Sequence, residues 1–250
     1  MSDFTLKHHL SNNEVSVYQQ LVKHLHNTPI PDNEILANLG LFLSRSSLGR
    51  ILFMAELYQQ MISTHGVVIE MGVRWGQNLA LLSALRSLYE PYNISRKIIG
   101  FDTFAGFPHT SEKDGSGVKV ADGAYSVSEN YQDTLADILS LNEQLNPKSN
   151  EKKFELVKGD VLQTLPKYLA DHPETLISMI YFDFDLYEPT KFALQELLPY
   201  CSKNTIFAFD ELCYQDFPGE TVAFREVMGD RPFEVIRSPI SPLQSYVKLC

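Results

Sequence analysis

Residues 67–76 read VVIEMGVRWG, an apolar, β-branched run that ends in a glycine-framed turn. The run has the length of a buried strand, and Gly72 and Gly76 punctuate a turn that would open a helix. Similar short runs of apolar and aromatic residues recur downstream, and helical patterns separate most of them. They cover residues 98–101, 154–157, 177–182 and 205–209. Buried strands that alternate with helices are typical of a parallel, doubly wound sheet.

The two ends of the chain have a different texture. Residues 1–63 carry apolar residues at helical spacing, which predicts a helical amino-terminal extension before a domain at 64–250. Residues 233–237 and 245–249 read as a closing strand pair with one antiparallel member. We therefore expect an α/β fold with a Rossmann-like, mostly parallel, doubly wound sheet of seven strands.

A polar insertion of about residues 103–153 interrupts the alternation of strands and helices. It contains Gly106, Gly115, Gly117 and Gly123, and then a helical pattern around residues 131–141. A loop of this length inside a compact domain is usually functional or disordered, and its aromatic residues argue against a purely solvated linker. We expect the insertion to act as a lid.

Composition excludes several classes of function. The chain has 250 residues, with 21 Lys and Arg against 31 Asp and Glu, a net charge of −10. No basic stripe is present, so nucleic acid is not an expected partner. The sequence has neither a long apolar run nor a signal-peptide pattern, which predicts a cytoplasmic protein without a membrane partner. Cys201, Cys213 and Cys250 lack metal-site or disulfide spacing and are interpreted as free thiols.

Acidic residues follow each of the five main strands. Ligands of open parallel sheets bind at the carboxyl ends of the strands. Burying several carboxylates there without partners is costly, so we expect a polar ligand or a cation at this edge. The residues are Glu70, Asp102, Asp160, Asp183, Asp210 and Glu211.

The first turn is not a dinucleotide fingerprint. Glu70 stands where that motif has its first glycine, and the spacing between Gly72 and Gly76 is wider. Gly72 would let a ligand approach the backbone, and the helix amino terminus would offer N–H groups to a carboxylate. Asp102 occupies the position whose carboxylate accepts hydrogen bonds from ribose hydroxyls. Asp160 and its neighbouring amides would suit an adenine edge.

Asp183, Asp210 and Glu211 form the sharpest acidic group. Carboxylates on adjacent strand ends supply the oxygen ligands that Mg²⁺ prefers. The alternative is a metal-free site in which Asp183 holds a substrate hydroxyl or the ammonium of a cofactor. Residue chemistry alone leaves both interpretations open.

Five segments resemble the macrocin O-methyltransferase family, whose members use S-adenosylmethionine to methylate sugar hydroxyls of natural products. The segments are IEMGVRWG, GFDTFAGFP, VKGDVLQTLP, YFDFDLYEPT and FAFDEL, and the match runs from about Val67 to Glu211. The resemblance implies a class I methyltransferase fold, S-adenosylmethionine as cofactor and Mg²⁺ as metal. It implies cofactor contacts from Glu70, Gly72, Gly76, Asp102, Asp160 and Asp183, and Mg²⁺ ligation by Asp183, Asp210 and Glu211.

Methyl transfer to a sugar-like hydroxyl of a small-molecule acceptor is the function that the resemblance predicts. Asp183 and Asp185 are the expected catalytic residues, with Asp185 accepting the hydroxyl proton, because no histidine follows His172. Asp185 could instead cap the following helix. A catechol acceptor, and a non-catalytic binding protein with a methyltransferase fold, remain as alternatives. A homodimer or higher homo-oligomer is the assembly considered, and the sequence leaves the oligomeric state open.

Overall fold

The computed structural model describes residues 11–116, 120–229, 231–241 and 243–250. The first ten residues of the predicted helical extension, and Gly117 of the insertion, lie outside the described residues. The chain forms two compact units, residues 1–49 and 50–250.

The first unit is helical. Helix α1 (Asn12–His26) begins with a capping box, in which Ser11 and Glu14 satisfy each other's backbone amides. A short helix α2 (Asp32–Ile35) continues into a 3₁₀ segment at Leu36–Phe42. No residue of α1 is buried.

The second unit is built on one seven-stranded sheet. Its strand order is β3-β2-β1-β4-β5-β7-β6. Strands β1 to β5 pair in parallel, and β7 runs antiparallel to both β5 and β6. This confirms the predicted mostly parallel sheet and its closing pair. The strands are β1 (Val67–Met71), β2 (Ile98–Asp102), β3 (Phe154–Lys158), β4 (Ile177–Phe182), β5 (Cys201–Phe209), β6 (Phe233–Arg237) and β7 (Ser245–Leu249).

Helices cover both faces of the sheet. Neighbouring strand residues enter opposite cores, because successive side chains point to opposite faces. Val68 belongs to one buried cluster and Ile69 to the other. Among the described residues, no helix is both long and apolar enough to cross a membrane. The helices are α3 (Arg45–Met61), α4 (Gln77–Tyr89), α5 (Tyr131–Gln144), α6 (Val161–Asp171), α7 (Tyr187–Leu197) and α8 (Gly219–Met228).

The strand order places the acidic strand ends side by side. Strand β1 has β2 on one side and β4 on the other, so strand order reverses next to it, which is where open α/β sheets bind ligands. The pairing continues just past the strands. The Gly72 amide donates to the Phe101 carbonyl at 3.0 Å, and the Asp183 amide donates to the Met71 carbonyl at 2.8 Å.

Candidate active site

The two glycines of the first turn are required by packing within the chain. Gly72 has φ +95°, and a Cβ there would lie 2.1 Å from the carbonyl oxygen of Asp183. Gly76 has φ +76°, and a Cβ there would lie 2.4 Å from the Leu135 side chain. Both backbone conformations favour glycine. The glycines therefore bring the β1 turn against the β4 loop and against helix α5.

Asp102 holds the first turn in place. Its Oδ2 accepts the backbone amides of Val73 at 2.6 Å and Arg74 at 2.7 Å, and its Oδ1 accepts the amide of Phe104. The amides of Val73 and Arg74 belong to the turn after β1, and the amide of Phe104 follows β2. Asp102 therefore joins the end of β2 to the turn after β1. Asp102, the residue predicted to bind the ribose, thus also fixes the backbone of the turn against which a cofactor would lie.

Glu70 is buried at the base of the same turn, with an exposed fraction of 1%. Burial raises the pKa of its carboxyl, and a hydrogen bond with Asn78 opposes that shift. Among the described residues, its Oε2 has no hydrogen-bond partner. A buried carboxyl oxygen without a partner suits a cationic donor such as the ammonium of a methionine moiety. The turn therefore fits S-adenosylmethionine.

Asp160 lies at the end of the third strand. It is the N-cap of α6, and its Oδ1 accepts the Leu162 amide at 3.0 Å. The capping contact uses one oxygen of the carboxylate and fixes its position after β3.

The loop after β4 carries Asp183 and Asp185, and Glu220 of α8 binds its backbone amides. Asp185 is buried, with φ +61°. Glu220 Oε1 accepts the amide of Phe184 at 3.1 Å and, more weakly, that of Asp185 at 3.4 Å. Burial raises the pKa of Glu220, and the charge of Asp185 adds to the shift. Glu220 therefore shapes the loop that presents both predicted catalytic carboxylates.

The insertion closes the other side of this loop. Asp114 Oδ1 accepts the amide of Tyr187, the first residue of α7, at 2.5 Å. Its Oδ2 accepts the amide of Ser111 at 2.6 Å. A Cβ on Gly219 would lie 2.6 Å from Asp114 Oδ1, so only glycine leaves room for this contact at the start of α8.

Asp210 forms an ion pair with Arg50 of helix α3. Arg50 Nη2 lies 2.9 Å from Oδ1 and 3.1 Å from Oδ2 of Asp210. The Tyr181 hydroxyl and the Gln244 side-chain amide each donate to Oδ1 at 2.7 Å. Arg50 Nη1 also lies 3.9 Å from Asp183 Oδ2. One guanidinium thus faces two of the three predicted metal ligands.

The neighbouring carboxyls therefore differ in acidity. Burial works to raise the pKa of Asp210, but Arg50 and the Gln244 hydrogen bond outweigh it, so the pKa is lowered. Burial raises the pKa of Asp183, and the negative charge of Asp210 raises it further. Burial works to lower the pKa of Arg50, but its interactions with Asp210, Tyr181 and Asp183 together raise it, so the guanidinium stays charged.

The predicted Mg²⁺ site is not assembled in this arrangement. Within the described ranges, no group of three or more His, Cys, Asp or Glu side chains is placed to hold a metal ion. The oxygen donors of Asp183, Asp210 and Glu211 have the chemistry that Mg²⁺ prefers. The position beside Asp210, however, is taken by Arg50.

Aromatic side chains of the insertion and of the loop after β5 form a cluster. Phe107 and Tyr125 of the insertion lie 5.0 Å apart, and Phe217 lies 6.4 Å from each of them. Tyr214 stacks on Phe217 at 6.4 Å, and the Arg74 guanidinium lies 5.1 Å from the Tyr125 ring centre. The cluster joins the insertion to the first turn and to the loop after β5.

Three residues of the site were not found from the sequence: Arg50, Glu220 and Asp114. Arg50 and Asp210 are 160 positions apart, and no local pattern marks such a contact. The spacing of Ser111 and Asp114 does carry a signal, because it matches a capping box.

Comparison with solved structures decides the family. The chain is 41% identical to CalS11, a calicheamicin methyltransferase, with a TM-score of 0.91 over 96% of this chain and 94% of that one. The chain belongs to the O-methyltransferase family of CalS11. It is a methyltransferase that uses S-adenosylmethionine.

Other comparisons agree with this fold. The apo structure of CalS11, described as a TDP-rhamnose 3'-O-methyltransferase of calicheamicin biosynthesis, is 39% identical over 96% of each chain, with a TM-score of 0.83. The O-methyltransferase NovP shares the fold of this methyltransferase at 18% identity and a TM-score of 0.61, over 94% of this chain and 98% of NovP. No family model and no curated protein matches the chain.

Proposed function

We propose that this methyltransferase transfers a methyl group from S-adenosylmethionine to a sugar hydroxyl, and that the sugar is a nucleotide-linked deoxysugar. The supporting observation is 39% identity, over 96% of both chains, to a protein described as a TDP-rhamnose 3'-O-methyltransferase. A glycosylated natural product, the acceptor class of the macrocin family, is the second form of the same proposal.

The cofactor supplies an activated methyl group on its sulfonium, so the protein has to align the reactants and remove a proton. Glu70 would hold the ammonium with its unpartnered buried oxygen. Asp102 would accept hydrogen bonds from the ribose hydroxyls in addition to those from the three backbone amides that it already binds. Asp160 would lie at the adenine end, after β3.

The acceptor hydroxyl would lie over the β4 loop. Asp183 is 29% exposed and can accept a hydrogen bond from the sugar. Asp185 would take the hydroxyl proton during transfer, and its position is fixed by the contacts of Glu220 with the loop backbone. The aromatic cluster around Phe217 offers apolar faces for a sugar ring or a nucleobase.

The proposal also includes Mg²⁺ as a metal cofactor. Asp183, Asp210 and Glu211 would be its ligands, and the metal would make the acceptor hydroxyl more acidic. Arg50 already contacts both oxygens of Asp210, so ligation there would bring two cations to one carboxylate.

An acceptor panel tests the proposal. The protein and S-adenosylmethionine would be incubated in separate reactions with each of three acceptor classes: TDP-linked deoxysugars, glycosylated natural products and catechols. Mass spectrometry should detect a methylated nucleotide sugar. Turnover of catechols alone would overturn the sugar assignment and leave methyl transfer in place. Failure to turn over any member, with S-adenosylhomocysteine still bound, would support a binding protein instead.

A further inference from the structure

Arg74 of the first turn has an unusual backbone conformation that is held in place. Its φ is +50°, in the left-handed region that favours glycine, and the Asp102 carboxylate accepts its amide at 2.7 Å. A residue other than glycine is strained in this conformation, and such strain is typical of functional sites. The turn therefore presents the Arg74 side chain from a fixed backbone.

The Arg74 guanidinium lacks an acceptor within the described ranges. Its Nε is buried and has no hydrogen-bond partner there, and no ion pair of the described residues includes Arg74. The residue as a whole is partly exposed, so a ligand can reach it. A buried donor without a partner is costly and indicates a ligand that brings the missing acceptor. For a guanidinium, the strongest such ligand is an anion.

The surroundings of Arg74 place this anion on the acceptor side of the site. The guanidinium lies 5.1 Å from the ring centre of Tyr125. Burial lowers the pKa of Arg74, and the charges that oppose this shift are, in decreasing order, those of Tyr125, Asp183, Asp185 and Asp102. The guanidinium thus interacts more with the loop after β4, where the acceptor hydroxyl would lie, than with the carboxylate predicted to hold the cofactor ribose.

A nucleotide-linked sugar carries an anion that matches this position. Its diphosphate adjoins the sugar, and the carboxylates after β4 repel it unless a cation offsets them. A guanidinium binds phosphate oxygens through paired N–H donors. Tyr125 contacts Arg74 and also packs with Phe107 and Phe217, whose faces suit a nucleobase. Arg74 and the aromatic cluster therefore match the charged and the aromatic part of one nucleotide.

We propose that Arg74 binds the diphosphate of a nucleotide-linked acceptor and selects such acceptors over neutral glycosides. The inference rests on the proposed function and deepens it, because it assigns a residue to the charge of the acceptor. The carboxylate of the cofactor is the other anion that would lie near this turn. The first amides of helix α4 can receive that carboxylate, which leaves Arg74 to the acceptor.

Binding of thymidine diphosphate tests this without methyl transfer. The full chain, loaded with S-adenosylhomocysteine, is titrated calorimetrically with thymidine diphosphate and, separately, with thymidine. Arg74→Gln should bind thymidine diphosphate about tenfold more weakly than the wild type, because charge-assisted hydrogen bonds are lost. Its affinities for thymidine and for S-adenosylhomocysteine should stay within about twofold, because neither ligand carries a phosphate. Arg225→Gln, which removes an equal charge from an exposed position on α8, should keep all three affinities within about twofold.

Unchanged binding of thymidine diphosphate by folded Arg74→Gln would overturn the proposal. Equal losses of affinity for thymidine diphosphate and S-adenosylhomocysteine would also overturn it, and would assign Arg74 to the cofactor carboxylate. If Arg74→Gln does not fold, Arg74→Lys replaces it. Lysine keeps a charge but loses the paired N–H donors, so a loss of about threefold is expected, and no loss would contradict the proposal.

The acceptor panel separates failure of this proposal from failure of the sugar assignment. Methylation of a TDP-linked sugar with the same KM in the wild type and in Arg74→Gln would overturn the role of Arg74 and leave the sugar assignment in place. Methylation of neutral glycosides alone would do the same. Turnover of catechols alone, with binding of thymidine diphosphate that depends on Arg74, would support the anion site and overturn the sugar assignment.

Discussion

Carboxyl groups at one edge of the sheet differ in acidity because their partners differ. Burial raises the pKa values of Glu70, Asp183 and Glu220, whereas Arg50 and the Gln244 amide lower that of Asp210. Perturbed carboxyls collected in one place are typical of a functional site. Of these four carboxyls, Asp210 beside Arg50 is the one whose pKa is lowered.

Glu70→Gln should make the stability of the free protein less sensitive to pH. A carboxyl whose pKa is raised on folding contributes its full stabilisation below its unfolded pKa, and that contribution is lost as pH rises through the folded value. The variant lacks this loss, so its free energy of unfolding should gain on that of the wild type between pH 5 and pH 8. Urea unfolding at pH 5 and pH 8 measures the difference. A difference that does not grow with pH would show that Glu70 is not held neutral.

Asp185→Asn should lower the rate of methyl transfer without changing the fold. Asparagine tolerates the left-handed backbone that Asp185 adopts at φ +61°, so the loop should keep its shape. Loss of the proton acceptor should lower kcat by about 10²–10⁴-fold with little change in KM. Asp216→Asn, an equal charge change at an exposed position of the loop after β5, is the control. A kcat within a few fold of the wild type would place proton removal elsewhere.

At the scale of elements, the insertion is anchored at its carboxyl end. Glu143 of α5 pairs with Arg86 of α4, and the Lys153 ammonium lies 2.9 Å from the same carboxylate. All three side chains are buried. Helix α5 is therefore part of the domain, and any lid motion belongs to the residues before it.

Glu143→Gln should strongly destabilise the domain. Removing one buried carboxylate leaves two buried cations without their partner, which typically costs about 3–5 kcal/mol. Glu226 is a matched control, because its carboxylate also pairs with two cations, Lys113 and Lys191, but at the surface. Glu226→Gln should leave the free energy of unfolding nearly unchanged. Equal effects of the two substitutions in urea unfolding would contradict the assigned role of the buried network.

Hydrogen exchange should divide the insertion in two. Amides at 105–116 and 120–130 should gain protection when S-adenosylhomocysteine or acceptor binds, because closure of this segment would cover the strand ends. Amides of α5 should already be protected in the free protein. Equal protection of both parts before and after binding would make the insertion a fixed element.

At the scale of the molecule, the fold was more predictable than the site. Strand and helix positions follow from local periodicity, so the strands and the carboxylates after them were found from the sequence alone. Arg50 and Glu220 were missed because their partners lie far away in the chain, and only the folded sheet brings them together. The separation of Arg50 from Asp210 along the chain also explains why Asp183, Asp210 and Glu211 were interpreted as a metal site, with no arginine beside them.

Calorimetric titration with S-adenosylhomocysteine tests most directly the claim that this sheet edge is the methyl-donor site. The wild type should bind one equivalent. Asp102→Ala should weaken binding by about 1–3 kcal/mol, because charge-assisted hydrogen bonds to the ribose and the support of the first turn are both lost. Unchanged affinity in folded Asp102→Ala, or no binding by the wild type, would contradict the assignment of this edge.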